Sequence, residues 1–103
     1  MSPRNPVFVA VDRPDIAGAE ALARSLAPHV GGIKLGLEFF MAQGPEGVQR
    51  MGRLGLPVFL DAKLHDIPNT VAGAVRGVVA LPVQMVTLHA TGGLEMMRTA
   101  VAI

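Results

Sequence analysis

The sequence predicts an α/β protein built from repeated strand–helix units, and three observations support this fold class. Four short apolar runs recur at intervals of roughly 25 residues, and a turn and a helical stretch follow each run. The runs are almost continuously apolar, which is typical of parallel strands buried on both faces. Four consecutive units are compatible with a doubly wound sheet or with part of an eight-unit barrel, which typically takes about 250 residues.

Local signals support each element in turn. The expected strands cover residues 7–11, 32–35, 58–63 and 85–89, and the expected helices cover 16–27, about 38–54, about 68–80 and a last segment after Gly92-Gly93. Asp15 is a plausible N-cap for the first helix. Gly44-Pro45 should break or restart the second helix. Pro68 suits the first turn of the third helix, where a missing N–H costs nothing.

The apolar content indicates that this domain is part of something larger. Half of the 103 residues are hydrophobic, 17% are charged, and the mean hydropathy is +0.44. A fully wrapped small domain needs more polar surface, so the excess predicts apolar surface that a partner covers. The last helix also reaches Ile103 without a charged turn or a glycine stop. We therefore expect residues 1–103 to form a single domain cut from a larger fold.

Composition argues against several function classes. With nine basic and eight acidic residues, no basic run and 4% aromatic residues, the chain offers no surface suited to nucleic acid. The absence of cysteine removes disulfides and thiolate metal sites and favours a cytoplasmic location. No uninterrupted apolar run is long enough for a membrane span or a signal-peptide core.

Polar side chains are concentrated where the expected strands end. Asp12, Lys34, Asp61, Lys63 and His89 all lie at or near the carboxyl end of an apolar run. In parallel α/β folds this end of the sheet carries the active site. A charge at a buried strand end is costly unless it is paired, so charges on four strands at the same end favour a functional explanation.

The spacing Asp61-x-Lys63-x-x-Asp66 is the strongest of these patterns. Strand periodicity points Asp61 and Lys63 to the same side, and a tight turn would bring Asp66 close, so the Lys63 ammonium would lie between two carboxylates. A held, protonated lysine is a good proton donor to a developing carbanion. Taken alone, the spacing favours an ordinary ion-pair triad, but Lys34 and Asp12 on neighbouring strands would extend it to an alternating Lys–Asp–Lys–Asp array, which a structural bridge does not need. Asp66 equally suits a cap for the helix that begins near Pro68, and capping and catalysis are compatible.

Two further sets of residues have plainer explanations. Thr70 could offer its hydroxyl to a sugar, although a threonine at a helix start needs no such role. His65 and His89 match no zinc-ligand spacing, so we interpret them as a loop histidine and a structural histidine rather than as metal ligands.

The third strand and the residues after it resemble the signature of orotidine 5′-phosphate decarboxylases. The matching stretch is residues 59–71, Phe-Leu-Asp-Ala-Lys-Leu-His-Asp-Ile-Pro-Asn-Thr-Val. Residues 9–12, 33–38 and 87–93 fall in the same order as the family's other strand-end segments. The resemblance implies a homodimeric (β/α)8 TIM barrel, of which this chain would be the N-terminal half with four βα units. It also implies conversion of orotidine monophosphate to uridine monophosphate and CO2, with no metal or organic cofactor.

The resemblance implies a catalytic role for each member of the charged pattern. Lys63 resembles the lysine that donates a proton to C6 of the pyrimidine, and Asp61 resembles the carboxylate beside the departing CO2. Lys34 resembles the lysine that completes the charge network and contacts the ribose. Asp66 resembles a carboxylate that reaches the neighbouring protomer's site across the dimer interface.

Three more residues would bind substrate by the same resemblance. Asp12 resembles the residue that binds a ribose hydroxyl, Ile67 an apolar wall near the reacting carboxylate, and Thr70 a sugar contact made across the interface. The family's phosphate-binding arginine, lid loop and base-reading side chains belong to its second half and are not found in this sequence. Since remote phosphate binding drives such catalysis, we expect this chain alone to have little or no activity.

Two other functions remain open from the sequence. Mg²⁺-dependent hexulose phosphate synthases and ketogulonate phosphate decarboxylases share the Asp-x-Lys-x-x-Asp spacing, although Lys34 and the continuation through residues 67–70 argue against them. A non-catalytic half-barrel that self-associates is the alternative from another class, because an open four-stranded sheet has unpaired edges and bare apolar faces.

Overall fold

A computed structural model of the chain describes residues 5–103. Four strands alternate with four helices: β1 (Phe8–Ala10), α1 (Ile16–Leu26), β2 (Gly32–Leu35), α2 (Leu37–Gly52), β3 (Val58–Leu64), α3 (Pro68–Val79), β4 (Met85–Leu88) and α4 (Leu94–Val101). Short 3₁₀ turns at Ala27–His29 and Ala90–Gly92 precede β2 and α4. The expected elements are confirmed, with bounds that differ by one or two residues; neither 3₁₀ turn was expected.

The strands form one parallel sheet in the order β1-β2-β3-β4. Each strand therefore lies beside the next in sequence, as in successive units of a barrel wall. A doubly wound sheet would instead show a reversal of strand order. The sheet order accordingly selects the barrel from the two α/β architectures that the sequence allowed.

The core lies between the sheet and the helices on one of its faces. On β2, Ile33 and Leu35 are fully buried against this helical layer, while Lys34 points to the opposite face and is half-buried. Phe39 of α2 is also fully buried in the same cluster. A second, smaller cluster joins α3 and α4. The alternation along each strand thus separates a packed face from a face that carries the polar residues.

Two local signals behave as expected. Asp15 caps α1, since its carboxylate accepts a hydrogen bond from the backbone N–H of Gly18 at 2.7 Å. Gly44, which precedes Pro45, interrupts α2 with a φ of +66°, a conformation that glycine adopts without the steric cost of a Cβ. Within residues 5–103, no helix has both the length and the apolar character needed to cross a bilayer.

A substantial apolar surface remains uncovered, as the composition indicated. Nine large hydrophobic side chains in the described part of the chain are exposed, among them Met41 on α2, Val79 at the end of α3 and Val101 on α4. Apolar surface of this extent marks places where further protein is expected to pack.

Candidate active site

Four polar side chains from three neighbouring strands meet at the carboxyl end of the sheet. Lys34 extends from β2, Asp61 and Lys63 from β3, and Thr87 from β4. They come together because the strands are parallel and paired in order: Leu60 lies opposite Val86, and the next residues on the two strands, Asp61 and Thr87, are joined by a side-chain hydrogen bond. We refer to Lys34, Asp61, Lys63 and Thr87 as the Asp61 cluster.

Asp61 is the centre of this cluster and both of its carboxylate oxygens are occupied. Oδ2 accepts a hydrogen bond from Lys63 Nζ at 2.7 Å and lies 3.4 Å from Lys34 Nζ. Oδ1 accepts a hydrogen bond from the Thr87 hydroxyl at 2.8 Å. The residue is only 8% exposed, so this buried charge is compensated by two cations and a neutral donor. Lys34 and Lys63 are the only two lysines in the chain, and both form ion pairs with this one carboxylate.

Lys63 has an unusual backbone conformation for its position. Its φ is +52°, the only positive value among the described non-glycine residues, and the pairing of β3 with β4 shifts register between Leu60 and Leu64. A non-glycine residue in this left-handed region is uncommon and costs about 1–3 kcal/mol. The Lys63 N–H donates to the Thr87 hydroxyl at 2.9 Å. Such an irregularity redirects a side chain, as β-bulges near active sites do.

The surroundings of Asp61 keep its carboxyl ionised. The hydrogen bond from Lys63, the hydrogen bond from Thr87, the positive charge of Lys63 and the contact with Lys34 lower the pKa of Asp61 to about 2, although burial opposes this shift. At neutral pH the cluster therefore holds a permanent anion between two ammonium groups. It can donate protons through Lys63 and present negative charge through Asp61 at the open mouth of the sheet.

Acid should weaken the fold through this group. Because the pKa of Asp61 is lowered to about 2 in the folded chain, its stabilising effect is complete above its unfolded value near 3.9 and is lost as pH falls toward 2. We expect about 2 kcal/mol of unfolding free energy to disappear between roughly pH 5 and pH 2. Urea unfolding of the 103-residue chain and of Asp61→Asn at several pH values checks this, since the variant should lack that part of the pH dependence. Parallel curves for the two proteins would contradict the expectation.

The expected position of Lys63 between two carboxylates is wrong within this chain. Asp66 is exposed, and across residues 5–103 its carboxylate forms no ion pair with Lys63; its Oδ1 accepts from the N–H of Ile67 at 2.7 Å instead. Asp66 is not the N-cap of α3 either. The N-cap residue is Ile67, and the structure shows no side-chain hydrogen bond that caps this end of the helix.

The other expected site residues lie around the same mouth without joining the cluster. Asp12 follows β1 and is exposed, and the ion pairs of the described chain do not connect it to Lys34, so the alternating array that the sequence predicted stops at three charges. Ile67 is 64% exposed at the start of α3, and Thr70 is exposed in the first turn of that helix. Their side chains are available to a ligand or to another chain.

His65 and His89 contact each other at this end of the sheet. Their ring centroids are 5.4 Å apart with the planes tilted by 40°. The backbone N–H of His89 donates to the carbonyl of Leu64 at 2.9 Å. This hydrogen bond joins β3 to the residue after β4, on the carboxyl side of the register shift. Among the described residues, no three histidine or acidic side chains converge as metal ligands would.

Thr87 is the member of the cluster that sequence reasoning missed. In an apolar strand, a β-branched threonine is explained by strand propensity alone, so it carried no functional signal. The available signal was its position one residue after Val86, because Val86 pairs with Leu60 and Thr87 then contacts Asp61. That pairing offset is set by tertiary structure and is not visible in either strand alone.

In-order parallel βα units with charged side chains gathered at the strand ends define part of a (β/α)8-barrel protein. Comparison with known proteins gives the particular family. The chain belongs to the orotidine 5′-phosphate decarboxylase / HUMPS family, whose sequence profile matches residues 5–103.

Individual relatives agree with this assignment. An orotidine 5′-phosphate decarboxylase from Paramagnetospirillum magneticum is 56% identical over 97 residues, covering 94% of this chain and 41% of the relative. A crystal structure of an uncharacterized conserved protein from Geobacillus kaustophilus superposes with a TM-score of 0.85 at 40% identity, covering 93% of this chain and 45% of that one. An orotidine 5′-monophosphate decarboxylase from Methanocaldococcus jannaschii, complexed with inhibitor BMP, shares the fold with a TM-score of 0.90 at 20% identity, over 97% of this chain and 47% of that one. The chain thus spans less than half the length of these relatives.

Proposed function

We propose that this chain forms the N-terminal half of an orotidine 5′-phosphate decarboxylase, which converts orotidine monophosphate to uridine monophosphate and CO2 in pyrimidine biosynthesis. The observation that carries the proposal is the Asp61 carboxylate, which holds Lys63 Nζ at 2.7 Å and Lys34 Nζ at 3.4 Å at the open end of a parallel sheet. The names of the curated relatives support the same substrate.

In the proposed reaction, Lys63 supplies the proton. The bond between C6 of the pyrimidine and the substrate carboxylate breaks, CO2 leaves, and the electron pair remaining on C6 takes a proton from the Lys63 ammonium. The hydrogen bond to Asp61 supports this role because it holds the donor in place.

Asp61 is proposed to act through its charge. With its pKa lowered to about 2, it remains an anion at neutral pH. Placed beside the substrate carboxylate, it repels a negative charge that disappears when neutral CO2 departs, so the interaction is less unfavourable in the transition state than in the bound substrate. Lys34, the second cation on the same oxygen, would complete the network and reach the ribose.

The remaining contacts are proposed from exposure and position. Asp12, at the end of β1, would bind a ribose hydroxyl, and Ile67 would form an apolar wall near the reacting group. Asp66 and Thr70 are exposed, and Asp66 has no ion pair with its own Lys63 in the described chain, which supports a role in the site of a second protomer. The proposed enzyme is therefore a homodimer, and the lack of cysteine fits a cytoplasmic location.

A Mg²⁺-dependent activity, of the hexulose phosphate synthase kind, is the second candidate. The matching family joins orotidine 5′-phosphate decarboxylases with the HUMPS proteins. A metal ion would need free carboxylate oxygens as ligands. In this chain Asp61 Oδ2 is shared by two lysines and Oδ1 is bonded to Thr87, so binding a cation there would displace partners already present. This donor arrangement favours the metal-independent decarboxylase.

A chimera tests the proposal. Replacing the matching segment of the Paramagnetospirillum magneticum relative with residues 1–103 of this chain should give a protein that forms uridine monophosphate from orotidine monophosphate, with turnover unaffected by a chelator. The isolated chain should show little or no turnover, because it spans 41% of that relative and would lack the remote contacts that drive catalysis.

Two controls make the result decisive. The unmodified relative, prepared in parallel, defines full activity. A folded chimera that does not decarboxylate orotidine monophosphate would refute the proposal. A folded chimera that instead acts on a hexulose phosphate only when Mg²⁺ is added would establish the second candidate.

A further inference from the structure

We infer that Thr87 is a positioning residue, whose single hydroxyl holds the proposed proton donor and its carboxylate partner in fixed relation. This inference rests on the proposed function for its catalytic consequence, although its structural part stands on the geometry of the Asp61 cluster. The hydroxyl donates to Asp61 Oδ1 at 2.8 Å and accepts from the backbone N–H of Lys63 at 2.9 Å.

The direction of both hydrogen bonds is forced by chemistry. An ionised carboxylate can only accept and a backbone N–H can only donate, whereas a hydroxyl offers one donor and two acceptor positions. Thr87 therefore accepts from Lys63 and uses its only proton on Asp61. No other arrangement of that proton satisfies both neighbours, so the hydroxyl has a single orientation and both groups are held with it.

The contact with Lys63 falls at the place where the strand is irregular. The register of β3 and β4 shifts between Leu60 and Leu64, and Lys63 adopts its φ of +52° inside that interval. Conformations of this kind persist only where the surroundings impose them. The hydrogen bond from the Lys63 N–H ties this backbone to the Thr87 side chain of β4, one residue before the Leu64 carbonyl accepts from His89. We infer that it helps to hold the direction in which the Lys63 side chain leaves the strand.

The contact with Asp61 restrains the other partner. Two lysines pull on Oδ2 from one side, and the Thr87 hydroxyl holds Oδ1 on the other, so the carboxylate plane cannot rotate freely. The donated bond also contributes to the lowered pKa of Asp61, second only to the bond from Lys63. Loss of the hydroxyl would free the carboxylate and the ammonium together, and misplacement by about 1 Å can cost on the order of a hundredfold in rate.

Three variants in the active chimera test the inference. Thr87→Val removes the hydroxyl but keeps a β-branched shape suited to a strand, and Thr87→Ser keeps the hydroxyl. Thr99→Val is the matched control, because the Thr99 hydroxyl bonds within α4 to the Glu95 carbonyl. The measurements are kcat and KM for orotidine monophosphate and the pKa of the Asp61 carboxyl, followed by carbon-13 NMR.

We expect Thr87→Val to lower kcat roughly 10- to 100-fold with KM changed less than about threefold, and to raise the pKa of Asp61. Thr87→Ser should retain kcat within about threefold, and Thr99→Val should match the parent. Equal losses in the valine and serine variants, or an unchanged pKa of Asp61 in Thr87→Val, would overturn the inference. A parent chimera without activity would refute the proposed function, while the Asp61 titration would still decide whether Thr87 holds the carboxylate.

Discussion

Replacing Lys63 with methionine in the chimera is expected to lower kcat for orotidine monophosphate by on the order of 10³- to 10⁴-fold. The substitution keeps an unbranched side chain of similar length but removes the more exposed of the two ammonium groups in the cluster, which is the proposed proton donor. Lys34 is the second cation on the same carboxylate oxygen, at 3.4 Å rather than 2.7 Å, and would not take over. The measurement is the rate of uridine monophosphate formation at saturating substrate.

Two further variants separate proton donation from charge. Lys63→Arg keeps a cation that can pair with Asp61, but guanidinium has too high a pKa to give up its proton readily, so it should remain nearly as inactive as the methionine variant. Arg24→Met removes an exposed cation on α1 that lies 3.9 Å from Glu20, and it should leave kcat within about twofold. Retention of a tenth or more of the parent kcat by Lys63→Met would exclude Lys63 as the proton donor.

Converting Asp61 to asparagine should reduce both activity and stability. The amide is nearly isosteric but neutral, so it neither repels a substrate carboxylate nor compensates the two lysines that now share Oδ2. We expect kcat to fall on the order of 10³-fold in the chimera, since this one substitution removes the charge and loosens the donor. In the 103-residue chain at neutral pH, we expect unfolding free energy to fall by about 1–2 kcal/mol, because the lysines are partly exposed and their repulsion is screened by water.

Salt and a matched variant identify the cause of that destabilisation. Raising the salt concentration to about 1 M should shrink the stability deficit of Asp61→Asn, because the screening length falls to about 3 Å. Asp15→Asn removes the same charge at a helix cap where asparagine serves as well, so it should change stability by no more than a few tenths of a kcal/mol. If Asp61→Asn were as stable as Asp15→Asn and fully active, the central role given to Asp61 would have to be abandoned.

The secondary structure could be predicted from the sequence because its signals are local. Each strand is a short apolar run, and each helix is bounded by residues whose conformational preferences act within one turn. Asp15 caps α1, and Gly44 with Pro45 interrupts α2, as those residue types dictate. Their effects depend on near neighbours in the chain, so they survive whatever the rest of the fold does.

The site could be predicted only in part. Asp61 and Lys63 do contact each other, but strand alternation is not the whole reason, because Lys63 lies in a left-handed conformation within a register shift. The turn that follows leaves Asp66 exposed and apart from Lys63 in the described chain. Sequence spacing assumed a regular strand and a tight turn, and neither holds at this point.

By itself, the sequence determined the order and type of the elements and the end of the sheet where charge collects, because apolar periodicity and strand polarity are properties of the chain. Only the tertiary structure decided which charges touch. The pairing of β3 with β4 placed Thr87 beside Asp61, and Lys63, within the register shift, contacts the same carboxylate. Within residues 5–103, no ion pair joins Asp66 to Lys63. Register shifts of this kind depend on how whole strands pair and pack, and no run of neighbouring residues encodes them.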